Sequence, residues 1–170
     1  MKRLFIYMSM ALAATAAFCA DPSRQLDKAN VLPLALDDHF QFRKTELFLN
    51  DPKTFKITQD PMVMFERARM NFGAVTQVDK RQRYGNYFKF FWRTDRKVEN
   101  ITVRLEYRQQ NLGPYVQAQE VAYNDVKGSV KTEFKVIGDD FLQDGRVVAW
   151  RALLIEKGRI VGLTQSYLWD

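Results

Sequence analysis

The fold is decided by Val147-Val148-Ala149-Trp150-Arg151-Ala152-Leu153-Leu154-Ile155-Glu156-Lys157-Gly158-Arg159-Ile160-Val161-Gly162-Leu163-Thr164-Gln165-Ser166-Tyr167-Leu168-Trp169, two apolar-rich runs on either side of Lys157-Gly158. A Gly in the second position of a two-residue loop supplies the positive φ that a tight hairpin turn requires. A turn centred there predicts a β-hairpin in which Leu154 opposes Val161, Ala152 opposes Leu163, Trp150 opposes Gln165 and Val148 opposes Tyr167. Directly opposed residues project to the same side, so this set is assigned to the core face. The second face then carries Val147, Ala149, Leu153, Ile155, Ile160 and Leu168. That face is too apolar for a sheet surface in water, and patches of this kind mark interfaces. Three occupants are open: the segment around Leu32 to Leu36 folding back, a second copy of the chain, or another protein, seated on the face or paired with the terminal edge. A one-residue slip would exchange the faces without removing the surplus of apolar side chains.

Upstream, the alternation of strands recurs. Tyr87 to Arg93 places Phe88, Phe90 and Trp92 on one side and Lys89 and Arg93 on the other. Ile101 to Arg108 alternates without a fault, with Ile101, Val103, Leu105 and Tyr107 apolar and Thr102, Arg104, Glu106 and Arg108 polar. Val130 to Val136 repeats the pattern, and Tyr115 to Tyr123 is a weaker strand. Asn111-Leu112-Gly113-Pro114 and Asn124 to Gly128 read as turns, and Gly138 to Gly145 as the loop into the hairpin. Val63 to Phe72 fits either a helix or a strand, and Ala74 to Tyr84 an exposed loop or short helix. About seven short strands with this punctuation predict an all-β sandwich over residues 62–170, with Trp92 and Trp150 meeting between its sheets. Residues 21–61, broken by Pro33, Asn50-Asp51-Pro52 and Gln59-Asp60-Pro61, read as an irregular arm lying on that domain. Within the arm, Thr45 to Leu49 suits a short strand or a helical turn.

The 170 residues, 46% hydrophobic and 14% aromatic, suffice for one domain with a real core. Met1-Lys2-Arg3 followed by the Ala-rich run Leu4 to Phe18 has the layout of a secretory signal peptide, taken here as residues 1–20. The expected address is the periplasm, the cell surface or the medium, with no membrane span after its removal. Cleavage after Ala17 or after Ala20 both remain open, and Phe18 before Cys19 argues against lipidation. Cys19 is the sole cysteine, so packing without a disulfide must hold the exported chain. A net charge of +6, part of it in the leader, is too mild for a dedicated nucleic-acid binder. A transmembrane barrel is disfavoured by a strand count below eight and by Asp170 after Trp169.

The segments Gly73-Ala74-Val75-Thr76, Gly85-Asn86-Tyr87-Phe88, Phe91-Trp92-Arg93, Val103 to Arg108, Ala149-Trp150-Arg151 and Ser166 to Trp169 resemble small exported bacterial proteins with one immunoglobulin-like or fibronectin-type-III-like domain. The resemblance spans about residues 62 to 169. It implies an immunoglobulin-like sandwich without the usual disulfide, and it carries no activity with it.

Catalytic chemistry finds few carriers. His39 is the only histidine and no cysteine stands in the strands, which leaves no nucleophilic triad and no His/Cys metal site. Asp37-Asp38-His39 reads as a solvated segment, and Asp139-Asp140 with Asp144-Gly145 as turn chemistry more than a calcium loop. No pair of carboxylates stands out for glycoside hydrolysis. Arg67, Arg69, Lys80, Arg81, Arg83 and Arg93, with Arg96 and Lys97, suggest a basic end of the sandwich able to hold an acidic glycan or lipid head group, although interspersed acids also suit an ordinary solvated surface. The expectation is therefore a non-catalytic, cofactor-free binding or assembly module of the cell envelope. Its first partner is an unidentified envelope protein or a second copy, met through the hairpin's outer face, and its alternative ligand is the acidic one.

Overall fold

The computed structural model describes residues 22–54 and 60–169, so the stretch read as a signal peptide, Cys19 included, lies outside them. Six strands form one antiparallel sheet: β1 (Arg24–Leu26), β2 (Phe40–Asn50), β3 (Gly85–Gln109), β4 (Gln117–Ile137), β5 (Val147–Glu156) and β6 (Arg159–Gln165). Helices α1 (Pro61–Met70) and α2 (Gln77–Arg81) lie between β2 and β3, and α3 (Asp139–Asp144) replaces the loop expected before the hairpin.

The 25-residue β3 is the spine. One of its edges pairs with β4 along almost its whole length. The other takes β2 along Gly85 to Thr94 and β5 along Thr102 to Gln109. The strands expected at 87–93 and 101–108 are thus two halves of β3, and those at 115–123 and 130–136 become one strand, β4, which begins two residues later than expected, at Gln117. Asn124 to Gly128 does not end a strand but bends one. Asp125 (φ 54°) and Gly128 (φ 87°) are left-handed there. Opposite them, β3 advances from Thr94 to Val98 while β4 moves only from Gly128 to Val126. Extra residues on one strand of a pair kink it and increase its twist. The sheet therefore doubles over on itself. Phe88 and Phe90, from the first half of β3, meet Trp150, which pairs with Tyr107 of the second half. Where two sheets of about seven strands were expected, the described residues form six strands, all in one hydrogen-bonded sheet.

Between the two halves lies one core, including Phe90, Trp92, Val103, Leu105, Tyr107, Phe134 and Leu154, all at or below 1% exposed. Trp92 and Trp150 share it without stacking on each other. Trp92 sits edge-on to Tyr123, whereas the ring of Trp150 lies 5.4 Å from that of Phe90. The Trp92 indole donates to Thr132 Oγ1 at 2.9 Å, and the Tyr123 hydroxyl lies 2.8 Å from the same oxygen. These bonds offset the cost of taking two polar tips out of water into an apolar core.

The arm is less irregular than expected. Its residues 40–50 form β2, an integral strand whose Phe40 is buried and whose Phe42 packs on the core. A bulge at Arg43, between the pairs Phe42–Trp92 and Lys44–Phe91, breaks its alternation. Gly85 marks the point where β2, β3 and β4 meet, paired to both Asn50 and Ile137. Its φ is 147°, and a Cβ there would run into the Val136 carbonyl oxygen, so only glycine fits.

The hairpin turns where expected. Lys157 (φ 50°) and Gly158 (φ 73°) form the positive-φ pair that matches strand twist. Glu156–Arg159 and Ile155–Ile160 pair in the expected register, but Leu154 then faces Gly162 instead of Val161. Val161 is the bulged residue and stays in the core, while Leu163 moves opposite Leu153. β6 ends at Gln165, and Tyr167–Trp169 is a single 3₁₀ turn.

Candidate ligand-binding surface

Two surfaces of the sheet carry large apolar side chains, and they differ in what covers them. The first is the outer face of the hairpin. Residues 33–37 run beside β6: Ile160 N–H donates to Pro33 O at 2.9 Å, Ala35 N–H to Ile160 O at 2.9 Å and Asp37 N–H to Val161 O at 3.0 Å. Leu32 packs on Leu153, Ile155 and Ile160, which are 2%, 8% and 8% exposed. The arm is thus a strap over this face. It also covers the polar side of β3 expected to meet water. Arg104 and Glu106 are buried, and Arg104 donates to Asn30 O at 2.9 Å. Arg104 also bonds Glu120 at 2.6 Å, and Arg151 bonds Glu106 at 2.6 Å.

The six residues assigned to the hairpin interface are therefore scattered. Leu153, Ile155 and Ile160 lie under the strap, Ala149 is buried, and Val147 packs against the main core. Leu168 is exposed, in the turn beyond β6.

The second surface is the excursion between β2 and β3. Asp60 caps α1 by accepting from Met62 N–H at 2.9 Å, with Pro61 in the first turn where its missing N–H costs nothing. Thr76 and Asp79 form a capping box at α2: Thr76 Oγ1 accepts from Asp79 N–H, and the Asp79 carboxylate accepts from Thr76 N–H. The Thr76 N–H, with the Thr76 hydroxyl and the Val75 N–H beside it, holds the Asp79 carboxyl below the usual range. The Arg83 guanidinium donates to the carbonyls of Met70 and Phe72, tying the end of α1 to the chain after α2. Asn50 and Tyr87 in turn donate to Arg83 O at 2.8 and 2.7 Å.

These local bonds carry the whole excursion, because neither helix buries a residue. Met62, Met64, Phe65, Phe72, Val75 and Val78 are between 56% and 84% exposed. A ten-residue helix without tertiary burial is marginal on its own, since isolated helices shorter than about 12–15 residues barely form. The excursion presents apolar side chains that nothing in the described chain covers.

Five of the residues named for the basic end belong to this excursion. Arg67 and Arg69 are on α1, Lys80 and Arg81 on α2, and Arg83 follows it; the acids of the same stretch are Glu66 and Asp79. Arg93 is not among them: it lies eight residues along β3 from Gly85, roughly 26 Å at strand spacing. Arg96 is likewise structural, bonded to Glu156 and Asp37 and lying over the Phe40 ring, and Lys97 pairs with Asp125. Arg69 and Arg83 line a groove of about 410 Å³ with Lys89, Lys135 and Glu133. Burial works to raise the Glu133 pKa, but the Lys131 ammonium bonded to it and the charges of Lys89 and Lys135 outweigh burial and hold it below the usual range. Arg69 is also paired with Glu66 at 2.8 Å and Lys89 with Glu46 at 3.7 Å, so two of the four cations in this groove carry acids of their own.

Sequence reasoning found the cations of the excursion and missed its apolar residues. Met62, Met64, Phe65 and Phe72 follow no single helical stripe, and that lack of a buried face was the available signal. Among the described residues, no three His, Cys, Asp or Glu side chains gather as a metal-holding group, and no helix is long and apolar enough to cross a membrane. His39 pairs with Asp95 at 2.7 Å, at the point where the strap enters β2. No protein-family model, no curated protein and no solved structure matches this chain, so its surfaces are read from their chemistry alone.

Proposed function

We propose that this chain is an exported, non-catalytic binding module of the cell envelope whose working surface is the excursion at residues 61–84, and that its ligand is the head-group region of an anionic lipid surface. The observation that carries it is the pairing, on one uncovered element, of six exposed apolar side chains with five basic ones, of which Arg69 is bonded to Glu66 and Arg83 to the carbonyls of Met70 and Phe72. Apolar side chains gain by entering the acyl boundary while Arg and Lys meet the phosphates, each cation near an anionic surface contributing about 1 kcal/mol. An acidic glycan would use the cations and leave Phe65 and Phe72 in water. Export rests on the layout of residues 1–20, and the resemblance to small exported bacterial proteins points to the same address. The immunoglobulin-like type has no part in the proposal, since a folded six-stranded sheet presents the excursion equally well. Docking of a partner or second copy on the hairpin's outer face would require the strap to leave first.

Flotation with phosphatidylglycerol vesicles and with neutral phosphatidylcholine vesicles tests the proposal. Binding to the anionic vesicles alone, weakened by salt and lost in a Phe65→Ser/Phe72→Ser variant, is the expected result. Binding to neither vesicle would refute it. Salt-sensitive capture on an acidic polysaccharide, unchanged by the two Phe substitutions, would replace the lipid with the glycan.

A further inference from the structure

Beneath the strap lies a cavity of about 470 Å³ that the excursion does not touch. Its volume is within the roughly 300–1,000 Å³ of small-molecule sites. Leu32 and Leu34 of the strap and Leu153, Ile160 and Leu163 of the hairpin line its apolar part, with Leu32 in contact with Leu153 and Ile160. Its polar end holds Glu106, Arg151 and Arg108 beside Trp169. The charges there are unequal. Glu106 is already bonded to Arg151 and lies 3.6 Å from Arg104, which has a second carboxylate in Glu120. Arg108 has no carboxylate among the described residues. Its guanidinium lies over the Trp169 ring at 4.7 Å, and its buried Nε has no hydrogen-bond acceptor. Arg108 as a whole is half-buried, and an anion arriving there would meet a cation that no carboxylate neutralises among the described residues.

The strap's anchorage leaves a way in. β1 fixes it to β4 on one side, and the three backbone bonds at residues 33–37 fix it to β6 on the other. Between them, residues 27–32 are held by the bond from Arg104 to Asn30 O, and Val31 points fully into solvent. We propose that the space under the strap is a binding site for a single-chain anionic amphiphile, its acyl chain lying beside Leu32 and Leu34 along Leu163 and its carboxylate meeting Arg108. This site is independent of the vesicle-binding surface, and one can fail without the other.

The test is calorimetric titration of the purified chain with dodecanoate below its micelle concentration, beside dodecanol, which has the same chain and no charge. Dodecanoate is expected to bind, and dodecanol to bind at least about tenfold more weakly, the worth of one charge-assisted hydrogen bond. Arg108→Gln is expected to reduce dodecanoate to the dodecanol level, Arg108→Lys to restore part of the difference, and Leu32→Trp, which fills the trough from the exposed strap, to block both ligands. Phe65→Ser/Phe72→Ser should leave dodecanoate binding unchanged, which separates this site from the excursion. Absence of dodecanoate binding, equal binding of the two ligands, or indifference to both Arg108→Gln and Leu32→Trp would overturn the proposal.

Discussion

The outer face of the hairpin and the excursion at 61–84 are both rich in large apolar side chains, yet Leu153 is 2% exposed and Phe65 62%. The hairpin's sequence proclaims its apolar face through regular alternation, and regular faces attract cover from elsewhere in the chain. The strap supplies it from more than a hundred residues away, with Leu32 packed on Leu153. The excursion has no such regularity, and its helices are kept by caps and by Arg83 instead of burial. An apolar surface in the sequence is therefore a question about coverage. The more conspicuous of the two surfaces is the one already used internally.

That contrast can be broken most forcefully at Leu153. In urea unfolding Leu153→Ala is expected to cost about 2–5 kcal/mol because the strap cannot collapse fully into the hole. Next is Glu106. Replacing it with Gln leaves the half-exposed Arg151 without its carboxylate and removes the acid 3.6 Å from the buried Arg104, and unfolding in urea is expected to show a loss of about 3 kcal/mol. A loss near zero would mean that the strap does not bury these charges.

A smaller effect concerns the strap's junction with β2. The Asp95 carboxylate hydrogen-bonded to His39, and its charge, raise the His39 pKa above its ordinary value of about 6.5. The folded-state value is the higher one, so the pair's contribution is fully present below about pH 6.5 and is lost as pH rises through the folded pKa. An NMR titration of this sole histidine should show the raised midpoint, and Asp95→Asn should return it toward the ordinary value. Smallest of all is the stability change in Phe65→Ser, within about 0.5 kcal/mol, since that side chain is 62% exposed. A loss comparable to that of Leu153→Ala would abolish the distinction between the two surfaces.

Much of the sheet was legible because alternation is local. The core side of β3, from Phe88 to Trp92 and from Ile101 to Tyr107, and the turn at Lys157-Gly158 all follow from neighbours in sequence. Continuity was not legible. Asp, Asn and Gly at 124–128 signal a turn, and the same residue types also build the bend through which β4 continues. Bulges at Arg43 and Val161 each insert one residue, which hides β2 and shifts the hairpin register after two correct pairs. Among the site residues, the cations at 67–83 were visible as charges, but their company was not. Whether Arg93 joins the cations of the excursion or stands far along β3 from Gly85 depends on β3 being unbroken. Arg108 looked like one member of a solvent-facing row, because nothing near it in sequence announces the strap.

The central claim is that the strap, and not a second protein, covers the hairpin. Photo-leucine, a diazirine leucine of nearly native size, replaces Leu32 and Leu153 without a bulky probe, and mass spectrometry after irradiation of the purified chain identifies the partners. Crosslinks within one chain joining Leu32 to Leu153 or Ile160 are the predicted result. Crosslinks from Leu153 that join only separate chains, with none to residues 29–36 of its own, would contradict it.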